Sequence, residues 1–246
     1  MSGAIALLTD FGVEDPYAGV LKAVILSRCP GANIVDLCHG IRPQDVRQAA
    51  FALRSSAPYF PDRTLFVCVV DPGVGSSRAV LWARSRRHAF LAPDNGLLSW
   101  LGRDERLLEI RRVTNRALFL PAVSRTFHGR DVFAPVAAAL AGGLAPSRLG
   151  PRTRGLLRLR PPRRGAVLFL DRFGNAVTNL RPTDLNGARS LEASGTSFPL
   201  RTHYGAVRRG LPLALVGSSG FIELSVREGR TGLKAGDPVY AHRTDG

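Results

Sequence analysis

Apolar runs alternate with amphipathic segments over the first 150 residues. The run 64–70 (TLFVCVV) is apolar at almost every position, as expected for a strand buried on both faces of a parallel sheet. Segment 17–29 carries Val20 and Val24 at helical spacing, and segment 130–141 is again helical in pattern. This alternation predicts an α/β domain with a mainly parallel sheet.

Shorter runs complete the predicted domain. Strands are predicted at 4–8, 33–38, 79–84 and 88–92, and a helix begins near residue 43 and continues through residue 53. Asp15 is expected to cap the helix over 17–29, with Pro16 at its first position.

The pattern changes after residue 164. Short strand-like runs at 166–170, 176–180, 213–216, 221–226 and 239–242 are separated by Gly, Pro and Ser, without a long helical pattern. They predict a small C-terminal all-β domain, barrel-like or a sandwich. We therefore expect domains at 1–155 and 165–246, joined by a connector rich in Arg and Pro.

Composition narrows the class of protein. The 246 residues are 45% hydrophobic and 22% charged, which is ordinary for a globular chain. No run of about 18 apolar residues predicts a membrane span, and the N-terminus has the pattern of a first strand without a basic leader. Three cysteines in apolar surroundings, without CxxC spacing, favour reduced thiols, no structural zinc and a cytoplasmic protein.

The net charge of +15 has two interpretations. Only Lys22 and Lys234 are lysines among 34 basic residues, so 32 are arginines. Such a protein could bind nucleic acid or another polyanion, or its arginines could be a compositional bias spread over the surface. The scattered positions and the lack of a basic stripe with interleaved aromatics favour the second interpretation, with no specific nucleic-acid partner.

Three aspartates directly follow predicted strands. Asp10, Asp71 and Asp94 would meet near the carboxyl edge of the sheet, where open α/β sheets bind ligands. Alternatively, each only shapes a turn or caps a helix. Glycines after Asp71 would let Arg78 return over it, and His128 lies either at a catalytic position or simply at a helix start.

Two turns in the second half carry candidate polar groups. Segment 171–175 (DRFGN) is either a hairpin turn or a ligand contact, and segment 217–220 (GSSG) is either a tight turn or a nest of amides for a carboxylate. The chain contains no Walker loop, no G-x-S-x-G elbow and no HExxH.

Seven strings in a fixed order carry a resemblance. LTDFG, IxPQDV, VVDPGVG followed by Arg78, APDNG, TFHGRDxFAP, DxFGN and GSSGFIELxV resemble the S-adenosyl-L-methionine (SAM) hydroxide adenosyltransferases across nearly the whole chain. The resemblance implies an N-terminal α/β domain, a C-terminal β-barrel domain and a homotrimer with active sites between neighbouring subunits. It also implies hydrolysis of SAM to adenosine and L-methionine, without a cofactor or a metal.

The resemblance also implies roles for individual residues. It assigns the attacking water or hydroxide to Asp71, Arg78 and His128, and it assigns the ribose hydroxyls to Asp10. On physical grounds, Asp71 and His128 can accept hydrogen bonds from the water, and Arg78 can orient the carboxylate through two bonds.

The other implied positions bind the remaining parts of the substrate. They are Asp171 and Ser218 at the methionine end, Asn175 near the adenine, Tyr204 stacked on it, and the pocket residues Gln44, Asp94, Asn95, Phe127, Phe173 and Ser219. Relatives often carry Asn after the last valine of the GSSG strand, where this chain has Arg227 and Glu228, so the adenine contact at that edge differs.

Other functions remain as alternatives. Halogenating relatives of this family have an aromatic residue in place of Asp71, a small hydroxyl residue at Val74 and, in the fluorinating form, serine at Gly129. The Asp71 carboxylate would repel a halide, so the resemblance favours water as the nucleophile. A non-catalytic SAM-binding protein and an RNA-binding protein are the alternatives of another class.

Overall fold

A computed structural model describes residues 3–101, 105–160 and 162–242. The chain divides into two compact units, a first unit of residues 1–159 and a second unit of residues 160–246. The described segments contain no helix with the length and apolar character needed to cross a bilayer.

The first unit is built on a mixed sheet in which parallel pairs predominate. In the described residues its strands run in the order β2-β1-β3-β5-β4-β6. The pairs among β2, β1, β3 and β5 are parallel, whereas β4 pairs antiparallel with β5 and β6. This arrangement confirms the predicted α/β fold with a mainly parallel sheet. The strands are β1 (Ile5–Thr9), β2 (Ile34–Cys38), β3 (Leu65–Val69), β4 (Val80–Arg84), β5 (Ala89–Pro93) and β6 (Glu109–Arg112).

Helices cover both faces of this sheet, which explains the continuous apolar runs. Helices α1 (Tyr17–Arg28) and α3 (Ala134–Ala141) contribute to a core that includes Ile5 and Leu7 of β1. Helix α2 (Val46–Ser56) contributes to the core on the other face. Successive strand residues point to opposite faces, so both sets of side chains are buried.

Three helix starts differ in detail from the sequence predictions. The Asp15 cap is wrong: Pro16 occupies the cap position of α1, no side chain caps it, and the first helical residue is Tyr17. Helix α2 begins at Val46, capped by Asp45, rather than near residue 43, because Gln44 has a left-handed φ of 66° that is incompatible with a helix. The helix predicted over 130–141 is divided: Gly129–Phe133 form a π-helical turn, and α3 begins after it at Ala134.

The second unit is all-β, as predicted. Its described strands form antiparallel sheets in the orders β11-β12-β8-β7 and β10-β9-β13. Isolated bridges Ala166–Pro238 and Leu200–Ala214 join the two sheets at both margins, so that the strands follow one another around a barrel-like ring. The strands are β7 (Val167–Leu170), β8 (Ala176–Thr178), β9 (Ser190–Ala193), β10 (Thr196–Pro199), β11 (Pro212–Val216), β12 (Ile222–Val226) and β13 (Tyr240–His242).

Candidate functional site

Three aspartates lie at the carboxyl edge of the first sheet. Asp10 follows β1, Asp71 follows β3 and Asp94 lies after β5, and these strands are parallel neighbours that end at one edge. Burial raises the pKa of Asp10, against the lowering effect of the Gln44 amide, and the charge of Asp71 adds to the increase. The carboxylates of Asp10 and Asp71 therefore interact electrostatically.

The Asp10 carboxylate is oriented by a strained backbone position. The amide of Gln44 donates to Asp10 Oδ2 at 2.7 Å, and its positive φ is uncommon for a residue other than glycine. The side chain of Gln44 is exposed. The contact that Gln44 makes to Asp10 thus comes from its backbone, and strain of this kind is typical of functional positions.

His39 anchors the loop that carries Asp10, a role that the sequence did not reveal. His39 Nδ1 lies 2.8 Å from Thr9 Oγ1, which also accepts the amide of Phe11 at 3.2 Å. The carbonyl of His39 accepts the amide of Gly12 at 2.8 Å. Both flanks of Asp10 are therefore tied to one nearly buried imidazole residue.

Asp94 and Asn95 have partners within the first unit. Asp94 Oδ1 accepts the amide of Leu157 at 2.7 Å. Asn95 Nδ2 donates to the carbonyl of Val70 at 2.8 Å, and its Oδ1 accepts the amide of Leu97. These bonds fix the end of β3 and the connector, and a substrate contact by either residue stays a prediction.

Asp71 and Arg78 form a two-point ion pair that is nearly buried. Arg78 Nε donates to Asp71 Oδ1 at 3.0 Å and to Oδ2 at 2.8 Å, and Arg78 Nη2 bonds Oδ2 as well. The Arg78 side chain is 11% exposed and the Asp71 side chain is 5% exposed. Such fork-shaped pairing fixes the plane of the carboxylate.

The turn after β3 brings Arg78 back to Asp71. The amide of Val74 bonds the carbonyl of Asp71 at 3.1 Å, and Ser76 closes on the carbonyl of Gly73 through its amide at 3.1 Å and its hydroxyl at 2.6 Å. Gly75 has a φ of 77°, and a Cβ there would lie 2.3 Å from the Arg125 carbonyl oxygen. No side chain fits at that position.

His128 completes this cluster on the far side of Arg78. Arg78 Nη2 lies 2.8 Å from His128 Nδ1. A guanidinium has only donors, so Nδ1 accepts and the proton of the neutral ring is on Nε2. Burial and the charge of Arg78 lower the pKa of His128, against the opposing charges of Asp71 and Asp131 and the Ser124 carbonyl. His128 is therefore held in the neutral form.

Aromatic rings pack beside His128. Phe127 contacts Phe11 and Tyr17 edge-to-face, with centroids 5.6 and 5.1 Å apart. A Cβ at Gly129 would lie 2.9 Å from Phe11 Cζ. The rings thus occupy the space that a side chain at Gly129 would need.

The predicted residues of the second unit surround a cavity of about 1050 Å³. Asp171, Phe173, Asn175, Tyr204 and Ser218 all line it. Phe173 is 77% exposed, so its ring is open to a ligand. Ser219 is not among the lining residues, although its buried Oγ has no hydrogen-bond partner among the described residues.

Tyr204 links two polar groups of the cavity. Asn175 Nδ2 lies 3.4 Å from Tyr204 Oη, and Tyr204 Oη donates to Glu223 Oε2 at 3.3 Å. The sequence placed Glu223 only within the strand-like run 221–226 and indicated no functional role for it. At the other edge, Arg227 Nη1 donates to the carbonyl of Val207 at 2.7 Å, and the adenine contact expected there stays a prediction.

Within the described ranges, no three His, Cys, Asp or Glu side chains are grouped so that they could hold a metal ion.

Comparisons with known proteins agree on one family over both units. The sequence profile of the SAM hydroxide adenosyltransferase N-terminal domain matches residues 5–150, and that of the C-terminal domain matches residues 165–240. A protein of Thermus thermophilus named (R)-S-adenosyl-L-methionine hydrolase is 44% identical over 253 residues, covering 96% of this chain and 98% of that protein.

More distant relatives and a solved structure extend this similarity. A protein of Nocardia brasiliensis named fluorinase is 28% identical over 216 residues, covering 74% of this chain and 72% of its own. The crystal structure of an uncharacterized conserved protein from Thermotoga maritima superposes with a TM-score of 0.89 at 35% identity, covering 97% of this chain and all of that one.

Proposed function

Because the chain belongs to the SAM hydroxide adenosyltransferase family, we propose that it hydrolyses S-adenosyl-L-methionine to adenosine and L-methionine. The observation that carries the proposal is the Asp71–Arg78–His128 cluster at the carboxyl edge of the sheet. A protein that only binds SAM would not need a nearly buried carboxylate held in a fixed plane beside a neutral imidazole.

The reaction needs a positioned oxygen nucleophile more than it needs an acid. Water attacks the 5′ carbon of the ribose, and the bond to sulfur breaks to release a neutral thioether, so the leaving group takes no proton. Alignment of a bound nucleophile can supply up to about 7–11 kcal/mol of the barrier. The rigid turn after β3 supports such alignment.

Asp71 is the group that accepts a hydrogen bond of the water. Its two oxygens offer about four acceptor sites, and the three bonds from Arg78 leave one of them for the water. Arg78 fixes the direction of the carboxylate, while the sulfonium of the substrate adds positive charge beside the water. As the bond to the 5′ carbon forms, the water gives up its proton through Asp71 to solvent, which leaves the 5′-hydroxyl of adenosine.

His128 does not act as the hydrogen-bond acceptor for the water that its residue type allows. Since Arg78 donates to Nδ1, the neutral ring carries its proton on Nε2, which is a donor, and the Ser124 carbonyl is a hydrogen-bond partner of this ring. Such a ring has no free acceptor and cannot take the proton of the water. We therefore assign His128 to the orientation of Arg78.

We assign the remaining contacts by unit. The first unit would bind the ribose hydroxyls through Asp10 and carry out the attack, and the second unit would bind methionine and adenine through its cavity. The proposal extends to a homotrimer with sites between neighbouring subunits, and to a cytoplasmic location, which the free thiols of Cys29, Cys38 and Cys68 support.

Chromatography of a reaction with SAM tests the proposal. Adenosine and methionine should appear in equal amounts, without added metal, and light scattering should give three times the chain mass of 26.5 kDa. Absence of adenosine from a protein that binds SAM would favour the non-catalytic alternative.

A further inference from the structure

Three carboxylates line the cavity of the second unit, and they differ in how far their oxygens are satisfied. Glu228 is paired with Arg209, whereas neither Asp171 nor Glu223 forms a salt bridge among the described residues. Asp171 Oδ1 accepts the amides of Phe173 and Asn175, both at 2.9 Å, and its Oδ2 accepts Asn175 Nδ2 at 2.9 Å. Three of about four acceptor sites are therefore used to close the turn. Asp171 retains little capacity for a ligand.

Glu223 retains most of its capacity. Its Oε2 accepts only the Tyr204 hydroxyl at 3.3 Å, and its Oε1 accepts from no donor in the part of the chain that the structure describes. The side chain is half-buried and lines the cavity. These oxygens are open to the cavity, where a ligand with N–H donors can bond them.

The backbone makes room for this carboxylate. A Cβ at Gly217 would lie 1.9 Å from Glu223 Oε1 and 2.2 Å from its Cδ. The φ of Gly217 is outside the left-handed region, so the turn itself does not demand glycine there. A side chain at residue 217 would therefore displace the Glu223 carboxylate from its present position.

In the described part of the chain, Glu223 has no cationic partner of its own, although Arg227 and Arg230 also line the cavity. Burial raises its pKa, and the negative charge of Asp171 adds to the increase. Among the described residues, no arginine, lysine or histidine forms a salt bridge with Glu223 or with Asp171. A cationic ligand would offset both the cost of burying the Glu223 charge and the repulsion from Asp171.

Resting on the proposed function, we infer that Glu223 binds the α-ammonium group of the methionine part of the substrate. An ammonium offers three N–H donors to the open carboxylate oxygen, whereas the sulfonium offers none. Glu223 is then a binding residue for the substrate and takes no part in the attack on the 5′ carbon.

The test compares Glu223→Gln with the parent by calorimetry and steady-state kinetics. The probes are SAM, an analogue that lacks only the amino group, and adenosine. For SAM, we expect KM and Kd to rise by about tenfold or more, from the strength of hydrogen bonds to charged groups, with kcat nearly unchanged. For the analogue and for adenosine, the variant and the parent should bind equally.

Two further variants guard against a general effect on folding. Glu192→Gln removes one charge on β9, outside the cavity, and should bind SAM like the parent. Gly217→Ala keeps the charge of Glu223 but displaces its carboxylate, and it should show the same loss for SAM as Glu223→Gln.

The outcomes separate this inference from the proposed function. A parent that makes adenosine, with Glu223→Gln at the parental KM, overturns the inference alone. A parent that binds SAM without hydrolysis, with selective weakening in Glu223→Gln, overturns only the proposed function. Equal weakening for adenosine and for SAM would place Glu223 at the adenine and overturn the inference.

Discussion

Asp71 in the first unit and Glu223 in the second unit have contrasting surroundings. Asp71 is paired through two points with Arg78, and the pair extends to His128. Glu223 forms no salt bridge among the described residues and faces a second carboxylate instead. In the first arrangement, Arg78 compensates the negative charge of Asp71 before any ligand binds, which suits an uncharged water. In the second, Arg227 and Arg230 also line the cavity, but neither forms a salt bridge with Glu223 among the described residues, which leaves its carboxylate for a cationic group of the substrate.

Carboxylates that bind a ligand differ from carboxylates that position another group in how many of their acceptor sites the protein itself uses. A carboxylate whose oxygens are bonded by the protein has a fixed direction and little free capacity. A carboxylate with unused acceptor sites can accept hydrogen bonds from a ligand. Asp171 belongs to the first class despite its place in the cavity, because the turn 171–175 uses its oxygens.

Removing the Asp71 carboxylate should have the largest effect on kcat. Asp71→Asn should lower kcat by about 10²- to 10³-fold, the range for loss of one preorganised group, because an amide holds Arg78 poorly and offers fewer acceptors to water. Single-turnover kinetics measure the loss, and calorimetry should show SAM still bound. A near-parental kcat would reduce Asp71 to a turn residue.

Two substitutions of His128 should separate orientation from proton transfer. His128→Asn retains an acceptor where Nδ1 stands and can still receive Arg78, whereas His128→Ala cannot. We expect the alanine variant to lose about tenfold more kcat than the asparagine variant, since a hydrogen bond to a charged group contributes about 1.5–3 kcal/mol. Equal and complete loss in both would indicate that the imidazole itself takes the proton.

Acidification should weaken substrate binding through Asp10. The pKa of Asp10 is raised by burial and by Asp71, despite the amide of Gln44, so Asp10 takes up a proton at a higher pH than an ordinary carboxyl. KM for SAM should therefore rise as the pH falls through that raised value. In Asp10→Asn, KM should already be high at neutral pH and independent of pH.

Stability gives a control for the Asp10 prediction. A raised carboxyl pKa means that ionisation of Asp10 costs folding free energy above that pKa. Asp10→Asn should therefore melt no lower than the parent at neutral pH. A large fall in Tm would show that the change in KM comes from a damaged fold.

The smallest effect should come from offering a halide. Because Asp71 repels an anion, the parent in molar chloride should yield adenosine without 5′-chloro-5′-deoxyadenosine, as measured by mass spectrometry. Gly129→Ser should not create halide transfer, since its Cβ meets Phe11; it should instead cost about 1–3 kcal/mol of stability. A chlorinated product as the main species would contradict the interpretation that Asp71 keeps anions out of the nucleophile position.

The sequence was sufficient for elements in which burial decides the pattern. Strand β3 was predicted from its apolar run because both of its faces are buried. Strand β6 (EIRR) was missed because Glu109 bonds Arg111 at 2.7 Å, so ionic pairing replaces hydrophobic packing. The hairpin of β9 and β10 was missed too, because its turn at Ser194 and Gly195 joins two short strands with few large apolar residues.

The sequence could predict the residue types of the candidate site and the sheet edge where they lie, but not the distances between them. The carboxyl edge follows from strand order, which places Asp10 and Asp71 together. The tautomer of His128 depends on which nitrogen Arg78 reaches, and that is a matter of distance. Glu223 alternates with apolar neighbours like any solvent-facing residue, so the pattern could not indicate a cavity beside it.

The exclusion between Gly217 and Glu223 also constrains how such sequences can change. A side chain at residue 217 displaces the flexible end of Glu223, so the functional cost of that substitution depends on whether the glutamate is still present. The pair is therefore epistatic, and the two positions should covary.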